Sequence, residues 1–180
     1  MGESGSGKTT LGKTILGAFK PTSGQILYPG SRPCDAAATA LGCATPRPAD
    51  DLPGPAVLVQ STVHDQSSLS LPLRLHGICP KERIPDEVGA LLRRVGLGPE
   101  HARRYPHELS GGQLQRVAIA RAISVKPRII VADEPVSKLD VSVRAQVLNL
   151  LKRMNRETGV GLVFITTTSA WRASCATGSR

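Results

Sequence analysis

Gly2-Glu3-Ser4-Gly5-Ser6-Gly7-Lys8-Thr9 fits the pattern G-x-x-x-x-G-K-[ST] at every fixed position. Glycines at these places let successive backbone N–H groups turn inward around phosphate oxygens with no Cβ in the way. The residues that follow carry Leu11, Ile15 and Leu16 on roughly one helical face, with Gly17 as a stop. A helix starting at Lys8 would set about half a positive charge at the same spot. Lys8 would then reach the β- and γ-phosphates, and the Thr9 hydroxyl would hold Mg²⁺. A loose tail of Gly and Ser would explain the glycines but not the Lys-Thr ending followed by a helical pattern.

The second half of such a site lies more than a hundred residues on. Ile129-Ile130-Val131-Ala132 is an unbroken apolar run of strand length that ends in Asp133-Glu134. Carboxylates at the C-terminal end of a buried strand lie at the sheet edge where ligands bind in open α/β folds. Asp133 is expected to bind Mg²⁺, through water or through Thr9, and Glu134 to act as general base for an attacking water. An acidic strand-to-loop turn is common by itself; paired with a phosphate loop it gains meaning.

Leu109-Ser110-Gly111-Gly112-Gln113-Leu114-Gln115-Arg116 supplies a second anion cradle, a Ser and two glycines at a helix start. One phosphate needs only one cradle, so the second points to a nucleotide held by another copy. An ordinary N-cap would account for Ser110 but not for the glycines and Gln113.

Composition excludes several classes. Hydrophobic residues make up 40% and charged residues 21%, within the globular range, so wholesale disorder is not expected. The 23 Lys and Arg against 14 Asp and Glu give +9, which admits anionic partners, although a solvated Arg-rich surface is the simpler account. Aromatics at 3% argue against a base-stacking nucleic-acid platform, and no nucleic-acid partner is expected. No apolar run approaches the ~20 residues that span a bilayer, and no charged-then-greasy segment follows Met1. The expectation is a soluble intracellular chain, or one held at a membrane by a partner. Cys34, Cys43, Cys79 and Cys175 show no paired short spacing, and His64, His76, His101 and His107 no ligand spacing, so bland roles are expected for both sets.

Along the chain, Gln25-Ile26-Leu27-Tyr28 reads as a short strand after turn chemistry at Pro21-Thr22-Ser23-Gly24. Residues 31–60, broken by Pro33, Pro46, Pro48, Pro53 and Pro55, read as irregular. A helix is expected from about Pro85, with Val88, Leu91, Leu92 and Val95 inward and Gly96 as stop. A second follows Gly112, packing Leu114, Val117, Ala118 and Ile123; a third, capped by Asp140, buries Val147, Leu150, Leu151 and Met154. Val160 to Ile165 reads as another buried strand. Alternating helices and apolar strands imply a parallel sheet covered on both faces.

Taken together the chain resembles an ATP-binding subunit of an ABC transporter. The phosphate loop, the Leu-Ser-Gly-Gly-Gln signature, the Asp-Glu ending and Ser137-Lys138-Leu139-Asp140 occur in that family's order. Residues 2–11, Pro72-Leu73-Arg74-Leu75-His76-Gly77 and Tyr105-Pro106-His107-Glu108-Leu109-Ser110-Gly111-Gly112-Gln113 look most like the dipeptide, oligopeptide and nickel uptake branch. The resemblance implies an α/β P-loop NTPase, a mostly parallel sheet flanked by helices, with a helical subdomain bearing the signature. Residues 1–166 would form one ATP-binding domain: 1–30 and 126–166 the nucleotide-binding core, 64–125 the helical subdomain, and 167–180 an anomalous tail. It further implies ATP and Mg²⁺ as cofactors and a sandwich of two such subunits with ATP at each seam. Gly2, Glu3, Ser4, Gly5, Ser6, Gly7, Lys8, Thr9 and Thr10 would hold one nucleotide. Ser110, Gly111, Gly112 and Gln113 would meet the partner's γ-phosphate, and Asp140 would link the two sites. Permease subunits, and indirectly a solute-binding protein, are the implied partners, which places the chain peripherally at the cytoplasmic face of the cell membrane, or in the cytoplasm when unassembled.

Four family features are not found in the residues given. The adenine-stacking aromatic and the strand before the loop would precede Gly2. The glutamine loop should fall in residues 31–62, where Gln60 stands among unfitting neighbours. The switch histidine should follow Phe164-Ile165-Thr166, where Thr167-Thr168-Ser169 stands. Free back-translation of residues 47–56, shifted by one base, can read Val-Arg-Gln-Met-Ile-Phe-Gln-Asp-Pro, and residues 166–171 can hide Thr-His-Asp-Leu-Gly-Val in the same way. One frameshift hypothesis thus covers both later losses, and resequencing the DNA tests it. As written, losing a positioning group such as the histidine costs roughly 10²–10³ in rate, so weak Mg-ATP binding and little turnover are expected. Three further readings compete: a non-catalytic truncated or frameshifted remnant, a soluble ABC ATPase of repair or translation, and a nucleic-acid binder.

Overall fold

The computed structural model describes residues 6–24, 26, 56–59, 69–137 and 139–166. Within them, three parallel strands stand in the order β1 (Ala56–Val59), β2 (Ile129–Asp133), β3 (Gly161–Ile165). β2 lies between its two neighbours, Ala56 opposite Ile129 on one side and Ala132 opposite Phe164 on the other. Its Ile130, Val131 and Ala132 are fully buried, which is why the segment reads as an unbroken apolar run. β3 is less covered than its sequence implies, since only Ile165 is buried and the four residues before it are half-buried.

The described residues also form five α-helices: α1 (Lys8–Ile15), α2 (Ser70–Leu75), α3 (Ile84–Arg94), α4 (Gly111–Ser124) and α5 (Val141–Thr158). Helix α3 begins with a Pro in its first turn, places Asp86 and Glu87 there too, and ends with Arg93 and Arg94, so its charges complement the helix dipole at both ends. It stops where the sequence says. Gly96 takes φ +74°, the Leu97 N–H donates to the Leu92 carbonyl at 2.9 Å and the Gly96 N–H to the Arg93 carbonyl at 3.0 Å. That double return is a Schellman close, which needs a residue without Cβ strain at the left-handed position.

The inward stripe of α3 (Val88, Leu91, Leu92, then Val95) meets Val117, Ala118 and Ile123 of α4 and Val147, Leu150, Leu151 and Met154 of α5 in one continuous core. Leu114, expected on the packed side of α4, is half-buried and sits at its margin. Arg116 ties the layers together: its guanidinium donates to the Val95 carbonyl at 3.2 Å and to the Gln146 side-chain oxygen on α5 at 2.7 Å. The chain passes from β2 through α5 to the parallel β3, a single crossover unit. Residues 56–59, expected within the irregular stretch 31–60, form β1 instead, because Ala56–Val59 pairs in parallel with β2. Of the strand expected at residues 25–28 only Ile26 is described, outside any strand, and the rest of 31–60 and the tail 167–180 lie outside the described residues.

One helix packs differently from its sequence pattern. Leu11, expected on the buried face of α1, is 63% exposed, whereas Gly12 is buried. A Cβ at Gly12 would come 2.5 Å from the Ile165 Cδ1 and 3.2 Å from the Val131 Cγ1. α1 therefore seats its backbone directly on β2 and β3, and a hydrophobic-face pattern cannot reveal a contact made by a glycine.

Candidate nucleotide site

The start of α1 and the ends of β2 and β3 meet at one edge of the sheet. Gly7 occupies the N-cap position with φ +80°, and nothing stands within 4 Å of where its Cβ would be. Its left-handed backbone is what turns the chain into the helix, and its carbonyl accepts from the Leu11 N–H at 2.8 Å. Lys8, Thr9 and Thr10 form the first turn. Lys8 Nζ donates to the Ser6 hydroxyl at 3.0 Å, folding the ammonium back over the loop. Gly2, Glu3, Ser4 and Gly5 lie outside the described residues.

From this turn the Thr9 hydroxyl donates to the Asp133 Oδ2 at 2.9 Å. Thr9 opens a helix and Asp133 closes a strand, so the contact holds only because α1 rides on β2 through Gly12. A hydroxyl and a carboxylate are hard oxygen donors, the kind Mg²⁺ takes one or two of from a protein while keeping water and phosphate as its other ligands. The pair thus fits that ion. Among the described residues no group of three or more His, Cys, Asp or Glu could hold a metal, so any metal here must lean on hydroxyl, phosphate and water oxygens.

Glu134 follows with φ +47°, an uncommon conformation for a residue with a side chain. Hydrogen bonds hold it on both sides. Its N–H donates to the Ile165 carbonyl at 2.8 Å, and its own carbonyl accepts from the Ser137 N–H at 3.2 Å and hydroxyl at 3.1 Å. Strain of this sort costs on the order of 1–3 kcal/mol and persists where neighbours over-determine it, commonly at functional positions.

Arg144, unremarked in the sequence, fixes the far end of the same loop. Its Nε donates to the Leu139 carbonyl at 2.6 Å and a terminal nitrogen to the Ser137 carbonyl at 3.5 Å. Asp140 does stand at the N-cap of α5, but its side chain makes no capping bond; its backbone carbonyl accepts from the Arg144 N–H at 2.9 Å. The expected side-chain cap is corrected accordingly, and the exposed carboxylate is left pointing to solvent.

The signature segment forms a complete capping box. The Ser110 hydroxyl accepts from the Gln113 N–H at 3.4 Å, and the Gln113 Oε1 accepts from the Ser110 N–H at 2.9 Å. The Gln113 amide nitrogen then faces His101 Nε2 at 3.4 Å. His101 Nδ1 lies 3.1 Å from the Gly98 carbonyl and 3.3 Å from the Glu100 carboxylate, both acceptors only. The proton therefore belongs on Nδ1, leaving Nε2 to accept from Gln113. With a side chain 11% exposed, His101 is the buttress of the cap, a role that no metal-ligand spacing could have announced.

The two signature glycines also have neighbours in their own chain. A Cβ on Gly112 would lie 2.5 Å from Val143 Cγ1, and one on Gly111 would lie 3.2 Å from Leu139 Cδ2. An ordinary N-cap, expected to account for Ser110 alone, thus extends to Gln113, and both glycines have packing neighbours within their own chain.

A family model described as ABC transporter matches residues 1–137. The chain belongs to that family. Its sequence is 44% identical over 168 residues to the glutathione import ATP-binding protein GsiA of Escherichia coli, an alignment covering 92% of this chain and 26% of that protein. To the GsiA of Pectobacterium atrosepticum it is 41% identical over 165 residues, with the same coverage. It thus spans about a quarter of the length of these relatives. Among solved structures it resembles cbiO1 of Clostridium perfringens, part of the ABC transporter complex cbiONQ, with TM-score 0.71 and 26% identity over 93% of this chain and 65% of that one. It also resembles a dimeric ATP-binding cassette in a post-hydrolysis state bound to ADP and phosphate, with TM-score 0.68 and 30% identity over 93% of this chain and 73% of that one. The fold is the α/β P-loop NTPase fold expected from the sequence, and the peptide-importer branch of the family agrees with the GsiA likeness.

Proposed function

We propose that this chain binds and hydrolyses ATP as part of an ABC importer's energy-coupling subunit, and that closure and reopening around the nucleotide drive uptake of a small peptide-like solute. The observation that carries the reading is the 2.9 Å bond from Thr9 to Asp133, which puts the loop's hydroxyl and the strand-end carboxylate at one point. The roles divide among the chain's own residues as follows. Residues 2–10 cradle the phosphates, with Gly7 supplying the turn and Lys8 the charge. Thr9 and Asp133 would hold Mg²⁺, which when bound neutralises phosphate charge and orients the γ-phosphoryl group. Glu134, locked in its strained conformation, accepts a proton from the attacking water. Ser110–Gln113 present helix-start amides to the nucleotide of a second subunit, and Asp140 faces the same seam.

Residues 1–30 and 126–166 would then form the nucleotide core and 64–125 the subdomain that carries the signature. Permease partners and a separate solute-binding protein complete the reading. The chain would sit peripherally at the cytoplasmic face of the membrane through those permease partners; among the described residues no helix is long and apolar enough to cross a membrane. The GsiA likeness supports a solute of small-peptide chemistry.

A second reading, a non-catalytic remnant, is favoured by Thr167-Thr168-Ser169 where the family has its histidine, and by the unfitting neighbours of Gln60. Equilibrium dialysis of the full chain against labelled ATP, with and without Mg²⁺, separates the two. Magnesium-dependent retention that disappears in Lys8→Ala supports the nucleotide module. No retention at millimolar nucleotide leaves only ancestry.

A further inference from the structure

We propose that Val143 is a positioning residue for the signature turn: it fills the space where a Cβ on Gly112 would sit, and so fixes where the Ser110–Gln113 amides point. This rests on the function proposed above and deepens it. The contact is severe by ordinary standards, since real Cβ atoms essentially never approach another atom to 2.5 Å. Val143 cannot yield cheaply. It is β-branched and stands in the first turn of α5, where one χ1 rotamer dominates.

The neighbouring contacts act in the same direction. Gly111 is pressed against Leu139, the Leu139 carbonyl is held by Arg144, and the loop from Glu134 to Ser137 is closed by the Ser137 bonds to the Glu134 carbonyl. Glu134–Ser137, Leu139–Val143 and the start of α4 therefore form one stiff piece. Its ends are the general base Glu134 and the helix-start amides of Ser110–Gln113. A change in one subunit's hydrolysis loop must move the surface that the same subunit offers to its partner's nucleotide. Gly112 is then a glycine for an intramolecular reason, over and above any need for close approach of phosphate.

Three variants of the full chain test this: Gly112→Ala, Val143→Ala and the pair together. Each is read by thermal unfolding and by Mg-ATPγS-driven self-association in sedimentation. Overpacking of the seam should lower the Tm of Gly112→Ala by about 2–12 °C and abolish association. Val143→Ala alone should lower the Tm less than Gly112→Ala does and weaken association, because the turn loses the side chain that holds its amides. The double variant should recover most of the Tm and the association, because the smaller side chain makes room for the new methyl. A double variant no more stable than Gly112→Ala overturns the seam. Recovery of Tm without recovery of association overturns the positioning role, since stability alone would then account for the contact. Should the unmodified chain fail to associate with nucleotide, the proposed function falls, while the Tm comparison still decides the seam.

Discussion

Thr9 and Asp133 are 124 residues apart in the chain and joined by one hydrogen bond, hydroxyl to carboxylate, at 2.9 Å. The bond ties the first turn of α1 to the end of β2; Thr9 is exposed and Asp133 half-buried. In the free protein Asp133 accepts from Thr9; with a cation present the same two oxygens would turn toward it.

Thr9→Ala should therefore lose the magnesium-dependent part of ATP binding and keep the magnesium-free part. Hydrogen bonds to charged groups contribute about 1.5–3 kcal/mol, so a drop of roughly 10–100-fold in Mg-ATP affinity is expected. Thr9→Ser should retain binding. Titration calorimetry with and without Mg²⁺ measures the difference; an equal loss in both conditions would contradict the assignment.

Glu134→Gln should leave nucleotide binding near that of the parent and remove whatever steady-state turnover it has, since general-base catalysis contributes typically ~10²–10⁴-fold. Phosphate release assays at saturating ATP decide it. Unchanged turnover in the variant would exclude Glu134 as the base.

His101→Ala should open the capping box by taking away the acceptor that orients the Gln113 amide. Caps of this kind contribute about 1 kcal/mol, a Tm shift of about 2–4 °C at this chain length. His101→Gln, which can still accept at its amide oxygen, should restore part of the loss. Equal Tm values for the alanine variant and the parent would show that the 3.4 Å contact is idle.

Arg144→Ala frees the carbonyls of Leu139 and Ser137 without touching the phosphate loop. Amide hydrogen exchange in residues 134–140 should speed up about tenfold or more while exchange in α4 and β2 stays slow. Faster exchange spread evenly over the protein would point to general destabilisation instead.

Leu151→Ala tests the core. Leu151 is fully buried on α5 in the cluster that joins α3, α4 and α5. Truncation should cost about 2–5 kcal/mol, a Tm loss on the order of 4–20 °C. Calorimetry showing less than a degree of change would mean that the site collapses without a cavity.

The elements most faithful to their sequence are those whose signal is local. In α3 the apolar spacing, the Pro start and the Gly96 stop all act within a few residues, and helix and caps form as written. β2 is legible because burial on both faces demands an unbroken apolar run. α1 and β3 were harder to read. A helix that packs through Gly12 shows its large side chain, Leu11, to solvent, and β3 lies at one end of the three described strands and is only half-covered.

The site divides along the same line. Residue type and spacing alone named Lys8, Thr9, Asp133, Glu134 and the Ser110–Gln113 signature, because phosphate cradles and strand-end carboxylates are built from a few consecutive residues. His101, Arg144 and Val143 left no such mark: each acts on a group brought to it by a different turn or helix, and its identity matters only at that distance. Sequence determined which atoms can do the chemistry, since that is a property of side chains and local backbone. Tertiary packing alone decided which of them touch, why Gly112 must lack a side chain, and that Asp140 leaves its carboxylate free, because those depend on helices meeting across the core.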